Sequence, residues 1–156
     1  MPRFVALLRG INVGGHTVKM ERLRELFVGL GYADVSTFIA SGNVIFEAAE
    51  ADEALLVAQI EALLQDALGY AVPTFLRTPA ELAATAAHAP WPAAEFASPD
   101  SALYISFFAA PPPAEMLGRL LALRTPDDDF AVHGRELFWL RRRRISETSI
   151  PDAALN

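Results

Sequence analysis

From Phe4 to Ile11 the chain is nearly continuously apolar and stops at a glycine-bearing loop, the pattern of a buried central strand. Between Lys19 and Leu30 the apolar positions Met20, Leu23, Phe27 and Leu30 recur at helical spacing, and Gly31 stands where a left-handed residue ends a helix. Val35 to Ala40 and Val44 to Glu47 are β-branched and aromatic runs separated by Ser41-Gly42-Asn43, which predicts a hairpin because glycine supplies positive φ in a tight turn. Asp52 to Leu68 has the spacing of a second amphipathic helix closed by Gly69. Ala71 to Arg77 then reads as a strand, and Pro73 places it at a sheet edge because proline has no N–H to give a neighbour.

The pattern changes after Arg77. A short helix is expected from Pro79 to His88, followed by an aperiodic, proline-rich stretch from Ala89 to Asp100 in which Trp91, between two prolines, is expected to pack down as an anchor. Ala102 to Ala109 predicts a strand and Ala114 to Leu123 a helix after Pro111-Pro112-Pro113. Phe130 to His133 and Glu136 to Arg141 predict a hairpin turning at Gly134. The order is therefore β-α-β-β-α-β over residues 1–78. Over 79–156 a helix and the Pro-rich connection lead into β-α-β-β, without the last helix and strand of the first unit. The fold class expected is α+β: two ferredoxin-like (α/β plait) units with mainly antiparallel sheets and helices packed on one face, the second shortened at its C-terminal side. No residue-level repeat relates the halves.

Topology turns this pattern into a place. A right-handed crossover makes the first two strands parallel, with the third between them and reversed. The loop after the first strand, the turn after the second and the start of the first helix then share one end of the sheet. Arg9, Gly10, Asn12, Gly14 and Gly15 on one turn thereby meet Ser41, Gly42 and Asn43 on the other. Glycine-rich turns aim backbone N–H groups into a concavity, and a helix N-terminus adds partial positive charge, so a small phosphate- or carboxylate-bearing ligand is the guest that fits. Arg9 would pair with it, and Asn12, Ser41 and Asn43 would orient it. A second interpretation of the same residues is purely structural: the glycines permit tight turns and the asparagines cap backbone groups. The glycine spacing matches neither G-x-G-x-x-G nor a Walker loop.

Composition narrows the alternatives. The 156 residues are 53% hydrophobic and 21% charged, as in globular chains, and Lys+Arg 13 against Asp+Glu 19 leaves a net charge of -6 that opposes a broad duplex-binding face. Without cysteine there is no disulfide framework, thiolate metal site or thiol nucleophile. No apolar run reaches transmembrane length or the form of a signal peptide, so the expected location is cytoplasmic.

His16, His88 and His133 lie on separate segments without ligand-spaced companions, so surface or packing roles are expected and no metal or cofactor. Asp127-Asp128-Asp129 is expected to solvate a turn, and Arg141 to Arg144 to form a solvated strand end. No catalytic constellation can be assembled from spacing. Against the anion-binding module stand three other classes. One is a single-stranded nucleic-acid binder using the sheet, Arg141 to Arg144 and the aromatics Phe38, Phe46 and Tyr104, for which core packing is the simpler explanation. Another is an enzyme with His16 or Lys19 as acid or base, and the third an assembly protein that forms homo-oligomers through an open sheet edge.

Leu8-Arg9-Gly10-Ile11-Asn12-Val13-Gly14-Gly15, then Met20 and Leu23, then Ser41-Gly42-Asn43-Val44, resembles the signature of the bacterial domain-of-unknown-function family 1697. The resemblance covers nearly the whole sequence, including Pro90-Trp91 and the strand near Ala102 to Phe108. It implies two plait-like subdomains and no activity, and its recurring signature maps onto the two turns that topology brings together. It also implies a further helix beyond Asn156 with a Thr-x-Arg-Asn-Trp type motif. Without that helix an apolar face of the second unit would be left uncovered, which favours self-association.

Overall fold

Alternation along β1 (Arg3–Leu8) sends Phe4, Ala6 and Leu8 to one face of a sheet, and that face is where the core of the first unit forms. The computed structural model describes residues 1–12, 15–38 and 42–143, and the chain divides within a helix into two units, Met1–Ala84 and Thr85–Asn156.

In the first unit β1 is followed by α1 (Met20–Gly29), β2 (Ala33–Phe38), β3 (Asn43–Glu47), α2 (Glu53–Leu68) and β4 (Thr74–Arg77). The four-stranded sheet has the order β2-β3-β1-β4, with every neighbouring pair antiparallel. β3 thus lies between β1 and β2, which run parallel to each other, as the crossover rule requires. Leu23 and Phe27 of α1 and Leu56, Ile60 and Leu64 of α2 join Phe4, Ala6, Leu8, Val44, Phe46 and Leu76 in one apolar cluster, so both helices cover the same face. Tyr32 stacks on Phe46 with ring centroids 4.6 Å apart and bonds Gln59 through its hydroxyl.

Local chemistry sets the element ends. Asp52 accepts from the N–H groups of Ala54 and Leu55 to start α2, and Gly69 at φ 83° ends it. Thr78 and Glu81 bond each other's backbone N–H around Pro79, a capping box that opens α3 (Pro79–Ala87). Several strand limits differ from the sequence pattern. β1 stops at Leu8 because Gly10, at φ 71°, turns the chain and drives Ile11 into the core. β4 starts only after Pro73, whose missing N–H bars it from the ladder, and the strand lies at the edge as that proline implied. β2 starts earlier, at Ala33, and carries a register shift between Ala33 and Ser36 around Asp34, whose φ is 50°.

The second unit holds a 3-10 turn (Ala93–Phe96), β5 (Ala102–Phe107), α4 (Ala114–Ala122), β6 (Asp128–His133) and β7 (Glu136–Arg141). Its three-stranded sheet has the order β5-β7-β6, all antiparallel, the same arrangement as β1-β3-β2 in the first unit. Leu120 of α4 packs with Phe130, Leu137 and Trp139 in a separate cluster.

Candidate functional site

The parallel relation of β1 and β2 puts the end of β1, the end of β2, the starts of β3 and β4 and the start of α1 on one rim of the first sheet. There the two signature turns meet. The N–H of Leu8 donates to the carbonyl of Gly42 at 3.0 Å, and the N–H of Arg9 donates to the carbonyl of Pro73 at 3.0 Å. Gly42 has φ 95°, and a Cβ on it would lie 2.5 Å from Cγ2 of Ile11 and 3.3 Å from Cβ of Leu8. Only glycine lets the second turn close on the first.

The loop leading to α1 is tied down at several points. The side-chain oxygen of Asn12 accepts from the N–H of Val18 at 2.7 Å. The hydroxyl of Tyr70, just beyond α2, donates to the carbonyl of Ile11 at 3.3 Å, and the His16 ring stacks on the Tyr70 ring with centroids 3.7 Å apart. The backbone role expected in the alternative interpretation therefore applies to Gly42 and Asn12. Asn43 opens β3 opposite Leu7 and Phe38. Gly14 and Ser41 lie outside the described residues. The open part of the rim is made by Arg9, Gly15, His16, Thr17 and Lys19, all exposed, and a Cβ on Gly15, at φ 94°, would meet nothing within 4 Å. Lys19 occupies the cap position of α1, and its side chain makes no capping hydrogen bond.

Tyr70 escapes a sequence search because it belongs to no motif; only the fold returns the end of α2 to this rim. His16 is visible in the sequence, but its partner is not.

The charge runs correct their sequence interpretation. Asp127-Asp128-Asp129 does not solvate a turn. Asp128 is 0% exposed, accepting from the Trp139 indole N–H at 2.9 Å and the Thr125 hydroxyl at 2.9 Å. Asp129 accepts from Arg124 and from the Trp91 indole N–H at 3.0 Å, so Trp91 is the anchor its setting implied. Burial pushes the Asp129 carboxyl up, but those two donors and the N–H of Phe130 outweigh it and hold the carboxyl below the ordinary range.

Of the run expected as a solvated strand end, Arg143 is exposed, but Arg141 and Arg142 are half-buried. Arg142 pairs with Glu95 at 2.9 Å, which holds the Glu95 carboxyl below its usual range, and Arg143 pairs with Asp127 at 3.0 Å. Arg141 donates to the Tyr104 hydroxyl and lies 5.4 Å from the centroid of that ring. Arg144 lies outside the described residues.

Of the candidate stacking aromatics, Phe46 is core and Tyr104 stacks on Trp139, whereas Phe38 is 62% exposed and core packing does not explain it. His88 stacks on His133 with centroids 4.0 Å apart. Among the described residues, no group of three or more His, Asp or Glu is placed to hold a metal, and no helix is long and apolar enough to cross a membrane.

The family model described as a protein of unknown function (DUF1697) matches residues 1–138. A solved structure of a conserved bacterial protein from Streptococcus pneumoniae is similar over 90% of this chain and 77% of that one, with a TM-score of 0.74 at 23% identity. At that identity the likeness concerns the fold alone. No curated protein matches the chain.

Proposed function

We propose that this chain, which belongs to the DUF1697 family, is a binding module whose first unit holds a small phosphate- or carboxylate-bearing ligand on the rim formed by the 9–16 and 41–43 turns. The observation that carries the reading is the start of α1. A helix N-terminus is ordinarily satisfied by Ser, Thr, Asp or Asn, yet here a cation, Lys19, takes the cap position and its side chain makes no capping hydrogen bond. Positive charge at the positive end of a helix is unfavourable by roughly 0.3–1 kcal/mol, and an anion bound there reverses the sign. Arg9, exposed on the adjoining turn, adds a guanidinium suited to two-point contact with phosphate or carboxylate. Gly42 and Asn12 then act by fixing the turns, while Gly10, Gly14, Gly15, Ser41 and Asn43 supply backbone and side-chain polar groups.

The strand order β2-β3-β1-β4 with both helices on one face supports reading the first unit as a ferredoxin-like plait, and β5-β7-β6 supports a shortened version in the second.

Isothermal titration with inorganic phosphate, nucleotides and small phosphorylated or carboxylated metabolites tests the reading. Saturable heat is expected for at least one ligand, weakened roughly tenfold or more by Arg9→Ala or Lys19→Ser, since a hydrogen bond to a charged group contributes about 1.5–3 kcal/mol. Heat that survives both substitutions unchanged, or no heat from any of these ligands, overturns it.

A further inference from the structure

The ring pairs of the first unit fall into two kinds. Phe4, Phe27, Tyr32 and Phe46 meet one another inside the apolar core. His16 and Tyr70 meet on the rim, and among the described residues theirs is the one ring pair of that unit with an exposed member. The half-buried Tyr70 is fixed from two directions, since its ring packs against the core and its hydroxyl donates to the carbonyl of Ile11 at 3.3 Å. His16 lies nearly flat on it, with 25° between the planes and 3.7 Å between the centroids. One face of the imidazole is thus taken by Tyr70, while the residue as a whole stays exposed. Among the described residues the His16 ring makes no hydrogen bond or ion pair.

The cationic side chains of the first unit divide in the same way. Arg3 pairs with Asp34 and Glu47, Arg24 pairs with Glu21, and Arg22 and Arg77 donate to the carbonyls of Ala67 and Leu76. Arg9 and Lys19 make no such bond among the described residues, and both are exposed on the rim that carries His16. Lys19 follows His16 by three residues, so their Cα atoms are at most about 11 Å apart, the scale of one small ligand. The backbone N–H of Arg9 is bonded to Pro73, three residues after Tyr70.

We propose that the ligand of this rim carries a flat heteroaromatic ring beside its anionic group, as a nucleoside monophosphate does. The ring stacks on the outer face of His16, and Arg9 and Lys19 hold the phosphate. The inference rests on the anion-binding reading above and adds the second half of the ligand. Every nucleobase has a π face, so such a stack selects for a ring rather than for one base. Tyr70 is a positioning residue behind it: an imidazole already held flat loses little freedom when the base arrives.

Titration of the whole chain with adenosine monophosphate, ribose phosphate and adenosine separates the two halves of the ligand. Adenosine monophosphate is expected to bind roughly tenfold or more tightly than ribose phosphate, the contribution of one stacked base, and to move the His16 ring protons upfield, which ribose phosphate does not. His16→Ala is expected to bring the two ligands to equal affinity, while His16→Phe, a flat ring without nitrogens, keeps the preference. Equal affinity in the unaltered chain overturns the stack and leaves the anion site standing. So does a preference that survives His16→Ala. Adenosine binding as tightly as adenosine monophosphate, or no binding of any of the three, overturns the anion site and this inference with it. Should His16→Ala fail to fold, the His16 ring shifts of the unaltered chain decide.

Discussion

Gly42 shows how one missing side chain holds two distant turns together. Any Cβ at this position meets Ile11 at 2.5 Å and must adopt a φ of 95°. Left-handed strain of about 1–2 kcal/mol and overpacking of about 1–3 kcal/mol act together. Gly42→Ala is therefore expected to destabilise the protein by roughly 2–5 kcal/mol in denaturant unfolding. Asn12→Ala removes the acceptor of the Val18 N–H and is expected to cost about 1–3 kcal/mol. A loss near zero for either substitution contradicts the packing described for these turns.

In the second unit, Asp129 links its local bonds to pH. Its carboxyl titrates lower in the folded chain than in the unfolded one. The stabilisation is thus fully present above the unfolded value and is lost as pH falls through the folded one. Asp129→Asn is expected to flatten the acid limb of a Tm-against-pH profile, and an unchanged limb contradicts this role.

At the scale of elements, α1 and α2 make a contrast within one unit. Asp52 caps α2 through two N–H groups, and replacing it with alanine is expected to cost about 1 kcal/mol. α1 begins at Lys19 with no such cap. Lys19→Ser is expected to act in opposite directions on two readouts, stabilising the fold by roughly 0.5–1 kcal/mol while weakening anion binding. A variant that is both less stable and unchanged in binding contradicts the assignment of the helix start to ligand.

These elements were legible because periodicity, Gly31, Gly69 and the Ser41-Gly42-Asn43 turn are local signals. The strand ends were less so. β1 stops early because Gly10 turns the chain, and β2 starts early because Asp34 takes a positive φ, which an aspartate in a sequence does not announce. Pro73 did announce the edge position of β4, since a missing N–H is a property of the residue itself.

For the whole molecule, crossover handedness was enough to expect the bend after β1 and the turn at Gly42 on a common rim before any coordinates, and Gly42 does meet Leu8 and Ile11. What escaped were contacts between side chains far apart in sequence. Asp127 to Asp129 and Arg141 to Arg143 read as two solvated charge runs, but hairpin pairing sets Asp128 opposite Arg141 and sends the charges to Trp139, Trp91, Arg124 and Glu95. His16 reads as isolated, yet the return of the chain after α2 puts Tyr70 against it. Phe38 shows the reverse error: its type resembles core, but alternation along β2 sets it on the exposed face with Asp34 and Ser36.

The two units share a strand order and differ at one edge. In the first β4 lies beside β1, whereas among the described residues the strand order of the second is β5-β7-β6.

The central claim is that the rim of the first unit accepts an anion at the start of α1. Amide chemical shifts followed during titration with inorganic phosphate test it most directly. Saturable shifts concentrated at Gly10, Gly15, Met20 and Glu21, and lost in Lys19→Ser, are the expected result. Shifts spread evenly over the basic side chains of both units, or absent from the 9–21 segment, would contradict it.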